Sequence, residues 1–356
     1  MAFAAAPGWG NLPNGNWSPV IYSKQVQLAF RKSSVAEAIT NNDYFGEIAN
    51  VGDSVKIIKE PEIAVRNYAR GTQVTAQDLD DSDFTLVVDK SAYFAFKVDD
   101  IEASQSHISW MSLASDRAAY RLKDNYDQDV LGYMTGFQQA TLGANATVAR
   151  TTASGTKAVS TADSDELLAT MKLKKGSFAN ITTGSAGEHS IPVTPRLPGT
   201  TSLPTDRVSP LMIISRMARL LDQQNVDSNG RFLVVDPIFV EMLKDEDSRL
   251  LNSDFGGSGL QNGLVLSNLH GFKVYVSNNL PAVGTGPGTA GTANQDSNYG
   301  IIVGGHESAA ATAETITKTE TYRDPDSFAD IVRGMHVYGR KLLRPESIVR
   351  AKYNVA

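Results

Sequence analysis

The sequence contains no cysteine, which excludes disulfide bonds, thiolate metal sites and cysteine nucleophiles. Long hydrophobic runs are missing as well, since no apolar stretch approaches the roughly 18 residues that a membrane-spanning helix needs. The first residues, Met1–Pro7, carry no basic side chain and so lack the charged region of a secretory signal. We therefore expect a soluble protein that is assembled in a reducing cytoplasm.

An excess of basic charge is also absent. The 356 residues include 33 lysines and arginines against 39 aspartates and glutamates, which gives a net charge of −6 at pH 7. A protein whose purpose is to grip nucleic acid usually carries a basic footprint. The length allows two or three domains, or one large elaborated domain. The composition thus predicts a folded protein without a global nucleic-acid-binding surface.

Residues that would form a catalytic constellation are missing. The five histidines are scattered along the chain, at positions 107, 189, 270, 306 and 336. His306 has no second histidine at the spacing of a zinc protease helix, and no serine occupies a Gly-x-Ser-x-Gly turn. We therefore predict that the protein is not an enzyme and has no cofactor and no metal site.

Two segments have a partial likeness to ligand-binding loops. Residues 284–291 are rich in glycine, but Pro287 interrupts them and low-complexity residues follow where a phosphate-binding loop would lead into a helix. Residues 225–236 carry oxygen ligands at part of a calcium-loop spacing, but the predicted strand Phe232–Val235 lies inside that loop. A flexible loop and a helix-to-strand turn are the favoured interpretations.

One long helix is predicted from Asp99 to about Ala140. Its length would be about 60 Å, roughly twice the width of an ordinary domain. Asp99 and Asp100 stand where the helix dipole favours negative charge. An apolar stripe at helical spacing supports the prediction: Ile101, Ile108, Met111, Ser115, Ala118, Leu122, Tyr126, Val130, Tyr133 and Phe137. A helix of this length needs packing partners along its whole course.

A projecting hairpin is predicted before that helix. Four segments alternate with a period of two: Ser54–Lys59, Ile63–Tyr68, Phe84–Asp89 and Tyr93–Val98. Such a hairpin, with few apolar residues near its tip, is not stable alone in water. We therefore expect it to lie against another copy of the chain. Its charged residues are either solvated or form ion pairs between subunits, and the candidates are Arg66, Arg70, Asp78, Asp80, Asp81 and Asp83.

The remaining segments predict an α+β protein, because short strands and helices follow one another without regular βαβ alternation. Ser34 and Glu37 have the spacing of a capping box at the start of a short helix. Gly143–Thr205 is poor in bulky residues and is interpreted as a Thr/Gly/Ser-rich insertion or surface loop. Ser209 and Pro210 mark the start of another helix.

The order of these segments resembles the major capsid proteins of tailed bacteriophages, which have the Hong Kong 97-type fold. The likeness extends over about residues 24–142 and 207–356. Besides the hairpin that leads into the long helix, it rests on three segments near the strands and the C-terminus: Gly230–Asp245, Gly271–Pro281 and Ser327–Glu346. The combination and order of the segments are specific, whereas each alone is weak.

The resemblance implies a domain organisation for the chain. It comprises an N-terminal arm (1–50), an extended β-hairpin loop (51–98), a spine helix of a peripheral domain (99–142) and the insertion or loop (143–205). A mainly axial domain with part of the peripheral domain (206–335) and the closing strands of the peripheral domain (336–356) complete it.

The resemblance also implies a function. The chain would assemble as pentamers and hexamers into the icosahedral head of a tailed bacteriophage, enclosing double-stranded DNA with which its contact is non-specific. Its location would be the virion, after assembly in the host cytoplasm. Because the N-terminal region is short, a separate scaffolding protein is expected, with a portal protein and in some relatives a cement or decoration protein. The alternatives are an encapsulin-like protein compartment and, in another class, a hydrolase that uses the glycine-rich loop.

Overall fold

The structure is a computed structural model. It describes these residues: 34–42, 54–58, 63–71, 73, 76–78, 83–100, 110–136, 138–139, 159–160, 166–178, 189–194, 207–244, 269–283 and 299–355. No helix in these ranges is long and apolar enough to cross a membrane.

Helices and strands are both represented, as an α+β fold requires. The α-helices are α1 (Ala36–Ile39), α2 (Trp110–Met134), α3 (Pro210–Gln223) and α4 (Pro237–Leu243). The strands up to the middle of the chain are β1 (Ser54–Ile58), β2 (Asp83–Val87), β3 (Lys90–Asp99), β4 (Gln138–Gln139), β5 (Val159–Ser160), β6 (Lys172–Leu173) and β7 (Ile191–Val193). The later strands are β8 (Arg231–Val235), β9 (Lys273–Val276), β10 (Ala282–Val283), β11 (Tyr299–His306), β12 (Ala310–Arg323), β13 (Ala329–Leu342) and β14 (Ile348–Val355). Short 3₁₀ turns cover Ala169–Met171, Lys175–Ser177, Glu307–Ala309 and Pro345–Ser347.

A seven-stranded sheet forms the main body of the described fold. Its strand order is β6-β14-β11-β8-β9, with β10 added to β11 and β7 added to β14. All five residues of β8 are buried, which is typical of a strand that is covered on both faces. Helix α3 packs on the sheet through Ile213, Ile214, Met217 and Leu221, which share one helical face. These side chains are the centre of the largest hydrophobic core.

Helix starts in this body follow the sequence signals. Pro210 occupies the first turn of α3 and Ser209 precedes it, as predicted. Asp236 precedes α4 and accepts a hydrogen bond from the backbone N–H of Phe239 at 3.1 Å. Between the two helices, Asp227 accepts from the N–H of Asn229 and Gly230 adopts a φ of 76° before β8 begins. The segment that resembles a calcium loop is therefore a helix-to-strand turn, as favoured from the sequence.

A second sheet is long, narrow and three-stranded, in the order β12-β13-β3. Strand β13 is its centre, paired antiparallel with β12 on one side and with β3 on the other. Exposed and half-buried side chains alternate along β3, so one face of the sheet is open. On the other face Phe94 lies over Gly334, where a Cβ atom would come within 2.3 Å of its ring.

The hairpin differs from the prediction in its pairing. Strands β1 and β2 pair antiparallel, with Ser54 opposite Val87 and Ile58 opposite Asp83. The segment 63–68 is extended but belongs to no strand, whereas Tyr93–Val98 lies within β3 and pairs with β13. Two-residue alternation identified the extended conformation correctly but gave no information about the partner strand.

The long helix is shorter at its C-terminal end than predicted. Helix α2 ends at Met134 rather than near Ala140, because Gly136 takes up a left-handed conformation with φ of 71° and β4 begins at Gln138. At the other end, Asp99 is the last residue of β3 rather than the first of the helix. Residues 101–109 lie outside the described residues. The 25 residues of α2 correspond to about 37 Å.

Candidate assembly surfaces

An extended segment, Ile63–Gly71, leaves the β1–β2 hairpin, and all of its residues are exposed. Three large apolar side chains stand in it with little cover: Ile63 is 68% exposed, Val65 97% and Tyr68 68%. Single exposed apolar residues are ordinary, but three within six positions on a projecting segment form a contiguous apolar surface. Such a surface indicates a contact with another molecule.

The charged candidates of the hairpin lie in and near this segment. Arg66, Arg70 and Asp78 are exposed. Asp80 and Asp81 lie outside the described residues, and of Asp83 the backbone is described, paired with Ile58 at the end of β2. Their predicted role in ion pairs between subunits therefore stays a prediction.

The open face of the three-stranded sheet is a second candidate surface. Tyr93 on β3 is 81% exposed and lies opposite Met335 on β13, which is also exposed. Beside them, Arg333 forms an ion pair with Glu320 of β12 at 2.7 Å. Phe328, in the turn between β12 and β13, is 80% exposed. Apolar side chains therefore extend from the middle of the sheet to its projecting end.

Ion pairs hold the projecting end of this sheet together. Lys97 of β3 donates to Asp324 at 2.6 Å, and Arg323 pairs with Asp100. The bond from Lys97, with further bonds from Ser327 and the N–H of Asp326, lowers the pKa of Asp324 to about 2. These groups are exposed, so each pair is a modest contribution that salt weakens.

A buried polar segment of α2 supports both surfaces from within. Asp127 is fully buried and accepts from the N–H groups of Val35 and Ala36, each at 2.7 Å, and from Ser34 Oγ at 3.2 Å. Its second oxygen accepts from Asn279 Nδ2 at 2.7 Å. Asp127 therefore caps α1 from another helix, and the predicted capping box is wrong: no side-chain bond from the flanking residues caps α1.

A second buried carboxylate of α2 ties the helix to β13. Asp129 accepts from Arg340 Nε at 2.7 Å and Nη2 at 3.2 Å, and from the Tyr338 hydroxyl at 3.0 Å. Burial and the adjacent Asp129 charge raise the pKa of Tyr338 well above its ordinary value, so its hydroxyl stays a donor. The guanidinium of Arg340 also lies over the ring of Tyr133. This group fixes the sheet to the helix by directional bonds.

The sequence gave little sign of these carboxylates. Asp124-Asn-Tyr-Asp-Gln-Asp129 reads as a solvated helix face, yet all six residues are buried. Spacing did offer one signal: Tyr126 and Val130 belong to the predicted apolar stripe and are buried, and the acidic residues alternate with them. Their donors come from positions about 90 to 210 residues away, which no local pattern encodes.

The described residues hold no obvious catalytic site. No group of three histidine, cysteine, aspartate or glutamate side chains within these ranges could hold a metal ion. A polar cleft of about 280 Å³ lies between the starts of β8 and β9. Its Arg231 already donates to the carbonyls of Val226 and Asp227 and pairs with Asp222 at 2.8 Å, so that guanidinium has a structural role. The glycine-rich residues 284–291 lie outside the described residues.

Comparison with known proteins identifies the fold. No protein-family model and no curated protein sequence matches the chain. Solved structures do: one from Mycobacterium phage Che8 is 23% identical, with a TM-score of 0.65 over 94% of this chain and 97% of that one. The capsid of cyanophage P-SCSP1u is 16% identical, with a TM-score of 0.62 over 94% and 93%. The mature capsid of bacteriophage PhiM1 is 15% identical, with a TM-score of 0.59 over 98% and 99%.

These matches extend over nearly the whole of each chain, so they concern the complete architecture rather than a shared motif. The class that they define is the shell-forming subunit of a phage capsid. The chain has this fold, and the predicted α+β capsid architecture is confirmed.

Proposed function

We propose that the chain is a major capsid protein that assembles as pentamers and hexamers into the icosahedral head of a tailed bacteriophage around double-stranded DNA. The observation that carries the proposal is the full-length match of its fold to phage capsid structures at probability 1.00. The similar structures are shell subunits, so the role is structural rather than enzymatic.

The exposed segment Ile63–Gly71 supports this function on physical grounds. It is extended, pairs with no described strand and exposes three large apolar side chains. A neighbouring copy in a capsomer would cover these side chains and complete a surface that one chain leaves open. Because the segment and its receiving surface are different parts of the subunit, the contact is heterologous, and heterologous contacts close into rings.

The charged hairpin residues belong to the same contact in our proposal. Arg66, Arg70, Asp78, Asp80, Asp81 and Asp83 would form ion pairs with a neighbouring subunit. Reversing the charge of Asp80, Asp81 and Asp83 together should impair assembly more than folding of the subunit. Unchanged particle yield would mean that these carboxylates are simply solvated.

Further partners follow from the proposed role. A separate scaffolding protein would guide assembly in the host cytoplasm, a portal protein would occupy one vertex, and a cement or decoration protein could bind the outer surface. Contact with packaged DNA would be non-specific, as the net charge of −6 favours. The domain organisation proposed from the sequence, with arm, extended loop, peripheral and axial domains, provides the frame for these contacts.

Negative-stain electron microscopy of the chain co-expressed with its scaffolding protein tests the proposal. We expect closed particles of uniform diameter with pentameric and hexameric clusters. Monomers alone, over a range of salt concentrations and with the scaffold present, would contradict it. An encapsulin-like compartment is the less favoured alternative, because the similar structures are phage capsids; a co-purifying cargo enzyme in place of DNA would support it.

A further inference from the structure

Two stretches of the chain are strongly basic. Residues 167–178 and 207–221 hold six basic side chains and no acidic one, in a chain whose net charge is −6. The stretches lie side by side, because Arg216 on α3 donates from Nη2 to the carbonyl of Ser177 at 2.7 Å and lies over the ring of Phe178. The basic side chains are therefore gathered at one place on the fold.

Four of these side chains form what we call the basic surface: Lys172, Lys174, Arg216 and Arg219. In and after β6, the half-buried Lys172 and Lys174 alternate with the buried Leu173, so both lysines lie on the side away from the core. Arg219 is exposed, one turn after Arg216. Burial and the positive charge of Arg219 both lower the pKa of Arg216, which indicates that their like charges are close.

Acidic groups at the ends of the two stretches are engaged elsewhere. Asp222, at the end of α3, pairs with Arg231 at 2.8 Å. Glu166 pairs with Lys341 at 2.7 Å. The positive potential of the basic surface is therefore not offset by the nearest acidic residues along the chain. A surface of this kind attracts a compact group of negative charges.

The same chain carries such a group. Asp78, Asp80, Asp81 and Asp83 place four carboxylates within six positions, and residues 71–89 contain no basic side chain. We call these four residues the acidic tip. Extended chain advances about 3.3 Å per residue, so the stretch from Ile58 to Gly71 can reach roughly 40 Å from the β1–β2 pairing. That distance is enough to reach across a neighbouring subunit.

We propose that the acidic tip of one copy docks on the basic surface of a neighbouring copy, between β6 and α3. The inference rests on the proposed function and names the surface that receives the hairpin. Packaged DNA is the other polyanion that the basic surface could meet. The observations favour the tip, because it supplies a matching charge on a projecting part of the same chain.

Charge reversal with compensation tests this contact in the full chain. The double variant Lys174→Glu/Arg219→Glu should lower the yield of closed particles at least about tenfold, because the repulsion recurs at every copy. A matched control, Lys244→Glu/Lys273→Glu, changes the same charge at exposed lysines, one of them on β9 at the opposite edge of the sheet. It should leave the yield unchanged. Adding Asp78→Lys/Asp81→Lys to the first variant should restore particles.

Carbodiimide cross-linking adds a direct readout, since it joins a lysine to a carboxylate in contact. Oligomers formed from equal amounts of ¹⁴N- and ¹⁵N-labelled chain should yield mixed-isotope peptides that join Lys172 or Lys174 to the acidic tip. If wild-type chain forms no particles, the proposed function fails. If it forms them and the Lys174→Glu/Arg219→Glu variant does so equally well, the docking proposal alone is overturned. Normal shells that no longer retain DNA, or lost shells without rescue, would also overturn it.

Discussion

Asp127 is the residue on which the attachment of α1 to α2 depends. One fully buried carboxylate accepts four hydrogen bonds, two of them from the backbone of α1. Burial raises its pKa from the ordinary value, and the bonds from Asn279 and from the α1 backbone oppose that rise. No lysine or arginine is among the described donors. The residue therefore acts by hydrogen bonding rather than by an ion pair.

Replacing this carboxylate should destabilise the subunit strongly. Asp127→Ala would leave several buried donors without an acceptor, and we expect a loss of about 3 kcal/mol or more in the free energy of unfolding. Asp116→Ala, at an exposed position on the same helix, should change it by less than about 0.5 kcal/mol. Urea unfolding of the unassembled subunit provides the measurement. Equal effects of the two substitutions would contradict the capping role.

The raised pKa of Asp127 also predicts a pH dependence. Because the folded state binds the proton more tightly than the unfolded chain, the contribution is full below the unfolded pKa of about 3.9 and is lost as pH rises through the folded value. Asp127→Asn lacks this titration. Its stability relative to wild type should therefore increase from pH 4 upward, in urea titrations at matched ionic strength. A constant difference across that range would refute the prediction.

The Asp129–Arg340 pair should show strong coupling. Removal of either partner leaves a buried charge, so Asp129→Ala and Arg340→Ala should each cost about 3–5 kcal/mol. The double variant should be far less destabilised than the sum of the two, because no unpaired charge remains. A double-mutant cycle from denaturant unfolding measures the coupling. Additive effects would indicate that the two side chains act independently.

At the scale of elements, the close approach of the hairpin to the long sheet depends on glycine. A Cβ atom at Gly339 of β13 would lie 2.4 Å from the carbonyl oxygen of Val87 and 2.9 Å from the Cα of Val88, which are backbone atoms. At Gly334 the atoms within reach belong to the ring of Phe94, the end of a side chain. The two glycines are thus matched in strand and differ in what they contact.

This difference predicts unequal effects of the same substitution. Gly339→Ala should cost about 3 kcal/mol, because the base of the hairpin must move away from β13. Gly334→Ala should cost about 1 kcal/mol, since the Phe94 ring can rotate aside. Thermal unfolding of the subunit compares them. If Gly334→Ala proved the more harmful, the hairpin base would not be held by this contact.

Local patterns predicted the elements well where one face is buried. The start of α3 at Pro210 and the buried strand β8 agree with their sequence signals. The partner of β3 could not be predicted, because a period of two fixes which face is buried but not which strand lies alongside. The buried carboxylates of α2 were missed for a related reason: their burial is determined by β13 and α1, which are distant in sequence.

At the scale of the whole molecule, the arrangement is an extended plate rather than a shell around a pocket. A long narrow sheet packs on α2, and an extended segment projects from the hairpin. The order of segments in the sequence already indicated a capsid subunit, since the succession of hairpin, long helix and strands is specific even though each part is ordinary. The receiving surface for the hairpin is what only the folded chain brings together.

The apolar side chains of the projecting segment provide the last prediction. If Ile63, Val65 and Tyr68 are covered in the assembly, burying each would contribute about 1.5–3 kcal/mol per subunit contact. The triple variant Ile63→Ser/Val65→Ser/Tyr68→Ser should therefore fold normally, because these side chains contact solvent in the single chain, yet give few or no closed particles. Circular dichroism melting checks the first part and sedimentation of particles the second. A triple variant at exposed polar positions of the same segment, Arg66→Ser/Asn67→Ser/Arg70→Ser, separates apolar burial from charge: particles lost equally in both would place the contact in the charged residues instead.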